Sequence, residues 1–174
     1  AYHIIIELKK INVKFIVAPY EADSELAYLC RTGYVDFILT EDSDLLVFGT
    51  PKVLYKFDFR RLTGQEICLN KIKKIPEAKF LLNNFTHCMF MTACILSGCD
   101  YLKNLPKIGL VTAIKKISIY KTFKEFFYRV VTNYPIDYEE KFMKAFLTFR
   151  YQRVYCPRKK MCVEINEIDF NADI

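Results

Sequence analysis

Two short apolar runs, KFIVA at 14–18 and DFILT at 36–40, flank one amphipathic stretch, and few folds accommodate that arrangement. Each run is too short for a helix and lacks polar alternation, which suits a parallel strand buried on both faces. Between them, Ala22, Leu26, Ala27, Leu29 and Cys30 recur at helical spacing over 21–31, and Gly33 is placed to end that helix. A strand–helix–strand unit packs with a right-handed crossover and parallel strands, so the spacing predicts an α/β fold. KVLYKF at 52–57 reads as a third strand, QEICL at 65–69 as a fourth, and 2–11 as the end of a helix. Residues 70–83, with Lys71, Lys73, Lys74 and Lys79, read as a connector. From about Phe85 the apolar spacing turns helical, over 85–97, 109–117, 121–132 and 137–151, with extended stretches at 154–157 and 161–165. The expected organisation is an α/β part over 1–83 and a helical part over 84–174.

Composition narrows the classes. Hydrophobic residues make up 52% of the 174, enough for a packed interior and too many for a disordered chain. No apolar run approaches 18 residues, so no membrane span is expected, and 1–10 lacks the small-residue cleavage site of a signal peptide. The seven cysteines are odd in number, form no CxxC pair and mostly lie in apolar runs, which fits a reduced intracellular protein without a zinc site. His3 and His87 are too few for histidine-based metal or nucleophile chemistry and read as ordinary structural residues. A net charge of +6 favours a polyanionic partner such as nucleic acid without specifying one.

Acidic residues supply the chemistry. Glu21 and Asp23 follow the first run; Asp42 and Asp44 follow the second. In open α/β sheets ligands gather beyond the carboxyl ends of the strands, so both pairs are expected in one crevice. Asp100 lies just past Gly98 at the end of an apolar helix, where the helix dipole disfavours an anion and a nearby cation would explain it. Like charges at that density repel unless something positive sits among them. Hard oxygen donors without His or Cys point to Mg²⁺ or Mn²⁺. Two such ions could let one activate water while the other stabilises the leaving 3′ oxygen of a phosphodiester. Glu21 and Asp44 could instead act as helix caps, and spacing alone leaves a phosphatase-like or nucleotide-binding α/β protein open.

The ordered blocks VAPYEADSELAYL (17–29), TEDSDLLVFG (40–49) and LSGCDY (96–101) resemble the flap endonuclease family of 5′ structure-specific nucleases, in particular its exonuclease 1 branch. That branch has Tyr before the first acidic pair and Glu-Ala-Asp where flap endonucleases have Glu-Ala-Glu. The resemblance implies the parallel-sheet, C-terminal half of a PIN-like 5′ nuclease core followed by a helical helix–two-turn–helix region. It also implies metal ligation, and thereby catalysis, by Glu21, Asp23, Asp42, Asp44 and Asp100, with activated water and no covalent nucleophile; Glu41 is not usually counted a ligand. Family members carry further metal-binding aspartates and phosphate-gripping basic residues in an upstream half that this sequence does not include. The implied activity is Mg²⁺-dependent 5′→3′ exonucleolytic cleavage of DNA, with 5′ flap-cutting capacity, at duplex ends, nicks or flaps. Its setting is nuclear repair and recombination, with mismatch-repair proteins as expected partners. A flap or junction endonuclease, and a DNA-binding fragment that does not cleave, are the alternatives.

Residues 105–117, LPKIGLVTAIKKI, resemble the family's helix–two-turn–helix, which meets the duplex backbone and often holds K⁺ on loop carbonyls. Gly109 is expected to permit a tight turn into a helix whose free N–H groups face a phosphate. Lys107, Ile108, Gly109, Lys115 and Lys116 are the expected DNA contacts. The family's Gly-Ile-Gly is here Lys107-Ile108-Gly109, and Asn104 stands where the branch tends to have Ser; both departures bear on K⁺ more than on duplex binding. Phe123, Phe126, Phe127 and Tyr128 lie among Lys121, Lys124 and Arg129, but their spacing favours a core stripe beside a solvated cationic face.

Overall fold

The structure, a computed structural model, describes residues 1–74, 85–130 and 135–168; residues 75–83 of the expected connector and 131–132 of the expected third helix lie outside these. Its elements are α1 (Tyr2–Lys10), α2 (Ala22–Arg31), β1 (Ile38–Leu39), α3 (Asp44–Val47), β2 (Lys52–Asp58), β3 (Thr63–Cys68) and a 3₁₀ turn (Leu69–Lys74). After these come α4 (His87–Ser97), α5 (Leu110–Tyr120), α6 (Phe123–Val130), α7 (Tyr138–Tyr151), β4 (Arg153–Cys156) and β5 (Met161–Glu164).

The sheet is mixed, in the order β1-β2-β3. β1 runs parallel to β2, with Ile38 opposite Val53, and β3 returns antiparallel. The parallel crossover therefore runs through α3, not α2, which corrects the expected unit. Residues 14–18 form no strand, and Phe15, Ile16 and Val17 are exposed. A parallel strand needs a neighbouring ladder, and among the described residues β1 pairs only with β2, so the KFIVA run has nothing to bond to.

α2 ends as its sequence requires. Gly33 adopts φ +68°, its N–H donates to Cys30 O, and the Tyr34 N–H donates to Leu29 O at 2.8 Å. This is the paired-bond termination that a left-handed glycine allows. The helix buries Ala27, Leu29 and Cys30. It also buries Glu25, 3% exposed, whose Oε2 accepts the Tyr155 N–H at 2.7 Å. That bond ties the β4–β5 hairpin back to α2 across 130 residues of chain.

α4 is apolar around its circumference and packs against α5, α7 and α3. Thr86 starts it, its hydroxyl accepting the Met89 N–H at 3.1 Å, the usual role of an N-cap threonine. The core next to it is aromatic. Phe123 stacks on Phe142 with centroids 3.7 Å apart, and Phe127 stacks on Tyr138. Phe123, Phe126 and Phe127 are buried as their spacing predicts, while Tyr128 points out and Arg129 pairs with Glu125 at 2.6 Å. The core is continuous from Ile38 and Val53 of the sheet to Phe146 and Phe149 of α7. All seven cysteines are free.

Replacing Phe142 with Ala removes the ring on which Phe123 stacks and leaves a cavity the stiff helices cannot close. Urea unfolding should register a loss of about 3–5 kcal/mol; a loss below about 1 kcal/mol would mean the stack is not part of the folding core.

Candidate metal centre

The acids reach one region from three elements. Glu21 immediately precedes α2 and Asp23 lies in its first turn; its neighbour Ser24 is buried and donates to the Glu21 carbonyl at 2.9 Å. Asp42 and Asp44 lie on the turn from β1 into α3. That turn is wound by side chains: Thr40 Oγ1 accepts the Asp42 N–H at 3.0 Å, and Asp42 Oδ1 accepts the Asp44 N–H at 2.9 Å. Asp100 sits at the corner of a tight loop closed by paired bonds between Cys99 and Leu102, after Gly98 has left α4 at φ +102°.

Capping accounts for one of these acids at most. Glu21 makes no side-chain bond to the start of α2, and at α3 only Asp42 Oδ1 holds a first-turn N–H. Among the described residues no Lys or Arg pairs with any of the five. Instead they act on one another. Burial raises the Asp23 carboxyl above its usual value, and the charges of Asp42, Glu21 and Asp100 raise it further. Asp44 is pushed up to about 6, by burial first and then by Asp42, Asp100 and Asp23. All five therefore share one electrostatic field, although only Asp42 and Asp44 follow a strand.

Sharing a field is not convergence. Among the described residues no three acidic, His or Cys side chains close on a common point as they would around an ion. In donor type and charge the set fits a hard divalent cation, which would remove the repulsion that burial and crowding impose. His3 and His87 are not among the charges acting on Asp23 or Asp44.

Glu41 is turned away: its Oε1 accepts the Lys56 N–H at 2.8 Å, where β2 bulges and Lys56 takes φ +50°. Two tyrosines join the site that sequence reasoning missed. Tyr55 and Tyr101 have their hydroxyls pushed up to about 12, chiefly by burial, and both feel Asp23 and Asp44. Tyr55 donates to the Asp42 carbonyl at 3.1 Å, and Tyr101 is held edge-on against Phe149. The signals were present, in the two-residue alternation that places Tyr55 beside Val53 and in the adjacency of Tyr101 to Asp100.

Of the expected DNA-contact residues, Lys107, Ile108 and Gly109 lie on the α4–α5 connection, and Lys115 and Lys116 lie within α5. Gly109 takes an ordinary extended φ of −95°, so the need for glycine expected there is absent. The left-handed residue is Lys107, at φ +65°. Gly109 O receives the Ala113 N–H, and the free N–H groups at the start of α5 lie on the exposed side with Leu110 and Val111. Lys107 and Lys115 are exposed and Lys116 is partly so; Ile108 packs on the core. The carbonyls of Leu105 and Ile108 accept from Asn104 Nδ2 at 3.3 and 3.0 Å.

Residues 12–100 match the family model of the XPG I-region. Over 98% of its length the chain is 41% identical to exonuclease 1 of Arabidopsis thaliana, and it spans 23% of that protein; it covers a similar quarter of other curated relatives. Among solved structures, the catalytic core of Rad2 with a DNA substrate superposes with TM-score 0.68 at 19% identity, over 88% of this chain and 55% of that one. A eukaryotic junction-resolving enzyme, GEN-1, solved with potassium, superposes with TM-score 0.66 at 19% identity, over 91% of this chain and 45% of that one. The fold is thus that of the 5′ nuclease cores, in agreement with the sequence-based expectation.

Asp44 retains its proton in the folded chain over a pH range where the unfolded chain, with a value near 3.8, has lost it. The metal-free fold therefore loses stability as pH rises from 3.8 to about 6. Asp44→Asn should remove that part of the slope and raise the thermal unfolding midpoint at pH 7. An unchanged slope would place the carboxylate outside the repulsive cluster.

Proposed function

Since this chain belongs to the XPG I-region family, we propose that it supplies the C-terminal share of the active site of a Mg²⁺-dependent 5′→3′ DNA exonuclease with 5′ flap-cutting capacity. The observation that carries the reading is the set of carboxylates from α2, the β1–α3 turn and the loop after α4, which raise one another's charge cost with no Lys or Arg among the described residues paired to them. Glu21, Asp23, Asp42, Asp44 and Asp100 are the residues that would hold two Mg²⁺, or Mn²⁺ in their place. Ions so bound would supply Lewis acidity, making water a better nucleophile at neutral pH and offsetting charge on the departing 3′ oxygen.

The chain's own residues do the rest. The turn wound by Thr40 and Asp42 fixes where the Asp42 and Asp44 carboxylates stand. Tyr55, whose hydroxyl donates to the Asp42 carbonyl, and Tyr101 lie within the field of the acids and put protein surface in place of water beside them. Lys107, Lys115 and Lys116, with the start of α5, offer charge and N–H groups to phosphates of duplex DNA. Phosphate contacts carry no base information, so cleavage would be independent of sequence. The upstream half of such a nuclease core would contribute the remaining ligands and the grip on the scissile phosphate. Nuclear repair and recombination, with mismatch-repair proteins as partners, is the setting this reading implies.

The test compares a 5′-recessed duplex with a 5′-flapped one in Mg²⁺, using the intact protein that carries this chain. Short products should leave the 5′ end of the recessed duplex, and Asp42→Asn should lower the rate on the order of a thousandfold while leaving duplex affinity intact. Undiminished cleavage by that variant would overturn the metal-site reading; preference for the flap would favour the endonuclease alternative. In a second measurement, Lys107→Ala should weaken duplex binding uniformly across sequences and reduce the salt-dependence slope by about one.

A further inference from the structure

The acidic site and the β2–β3 loop lie at the same end of the sheet. β1 and β2 run parallel with Leu39 opposite Leu54, so the chain leaves both strands in one direction. After β1 it turns through Asp42 and Asp44; after β2 it enters the loop 59–62, closed by the pairing of Asp58 with Thr63. At about 3.3 Å per residue of strand, that loop stands beyond the acids by on the order of 10 Å. Two bonds fix the hairpin to the site. Glu41 Oε1 accepts the Lys56 N–H at 2.8 Å, and the Tyr55 hydroxyl donates to the Asp42 carbonyl at 3.1 Å.

Gly, Pro, Asn, Asp and Ser dominate turns, yet this one reads Phe59, Arg60, Arg61, Leu62. Phe59 is 73% exposed and Leu62 74%, and Leu62 takes φ +51°, which glycine or asparagine adopts at less cost. The loop is held all the same. Asp58 Oδ1 accepts the Arg60 N–H at 2.8 Å and the Arg61 N–H at 3.1 Å. The Phe59 ring meets half-buried Phe57 edge to face, with centroids 4.9 Å apart, so Phe57 braces it while most of its surface stays open. Both guanidinium groups face solvent, and the pairing of Arg61 with Asp58 is loose, at 3.7 Å.

An open aromatic ring beside two guanidinium groups matches nucleic acid whose bases are unstacked, because the ring can take a base while the arginines take phosphates. A duplex offers phosphates but keeps its base faces covered. The cationic loop also offsets, at the same end of the sheet, the repulsion that the carboxylates exert on a polyanion. We propose that the 59–62 loop binds unpaired nucleotides next to the cut, with Phe59 stacking on a base and Arg60 and Arg61 meeting phosphates. The position next to the cut rests on the nuclease reading above; the affinity for unpaired nucleotides does not.

The test uses the intact protein, without divalent metal, on a fully paired duplex and on the same duplex with an unpaired 5′ or 3′ tail containing 5-iodouracil. Irradiation should crosslink a tail to Phe59, as located by mass spectrometry. Phe59→Ala should abolish that crosslink and weaken binding of the tailed DNA roughly tenfold, while paired DNA binds within about twofold of wild type. Phe59→Tyr should keep both the crosslink and the affinity. Arg60→Ala with Arg61→Ala should lower the salt-dependence slope on tailed DNA by roughly one and a half. A crosslink with neither tail, or equal losses on paired and tailed DNA, overturns the proposal. Cleavage in Mg²⁺ separates it from the nuclease reading. Asp42→Asn should stop cleavage and leave the crosslink unchanged. Cleavage by wild type without the crosslink overturns the loop alone; a Phe59 crosslink in a wild type that never cleaves overturns the position next to the cut and supports the affinity for unpaired nucleotides.

Discussion

A helix whose sides are all apolar cannot lie on a surface, and the other elements of this fold are arranged to enclose α4. Met89, Met91, Ala93, Ile95 and Leu96 are buried around its circumference, so α3, α5 and α7 must each contribute a wall. The two ends of α4 then acquire fixed positions. Its start lies beside the sheet, and its end delivers Gly98 and the loop bearing Asp100 toward α2 and the β1–α3 turn. The acidic site is a consequence of that enclosure: three loops leave a common core at neighbouring points, and each carries carboxylates.

The cost of this arrangement is electrostatic. Carboxylates packed beside buried surface without cationic side chains oppose folding, and Asp44, pushed up to about 6, carries much of that opposition. Natural chains rarely leave such charge uncompensated at a place of no use. Elsewhere among the described residues most acids behave conventionally, Glu25 being buried on the Tyr155 N–H instead. Glu125, Asp137 and Glu140 pair with cations one helical turn away, and Glu41 caps a bulge. The contrast between these sets distinguishes the site more sharply than the number of acids does.

Much of this was readable before any coordinates. The boundaries of α2 follow from its apolar spacing and from Gly33, because local periodicity and a left-handed glycine act within a few residues. The aromatic stripe of α6 was legible for the same reason; of the acids, only Asp42 and Asp44 follow a strand, while Glu21 and Asp23 open α2 and Asp100 follows α4. The KFIVA run was misread because strand formation depends on a partner, which the run itself cannot disclose. The Glu25–Tyr155 bond was invisible for a related reason: it joins residues 130 apart, and nothing in ADSELAY marks Glu25 as the one acid that turns inward. At the turn before α5, glycine was expected at a position whose backbone does not need it, while the strained conformation fell on Lys107. The chemistry of a turn is set by φ, and the residue type alone did not reveal which position would bear it.

The unpaired 14–18 stretch carries a practical consequence. Phe15, Ile16 and Val17 are exposed, as are Phe37 and Leu39 at β1, whose free edge, among the described residues, has no second neighbour. Open backbone groups beside exposed apolar side chains are the conditions under which separate polypeptides add strands to one another. A polypeptide that leaves this edge open would tend toward self-association, and its solubility would report how well the edge is shielded.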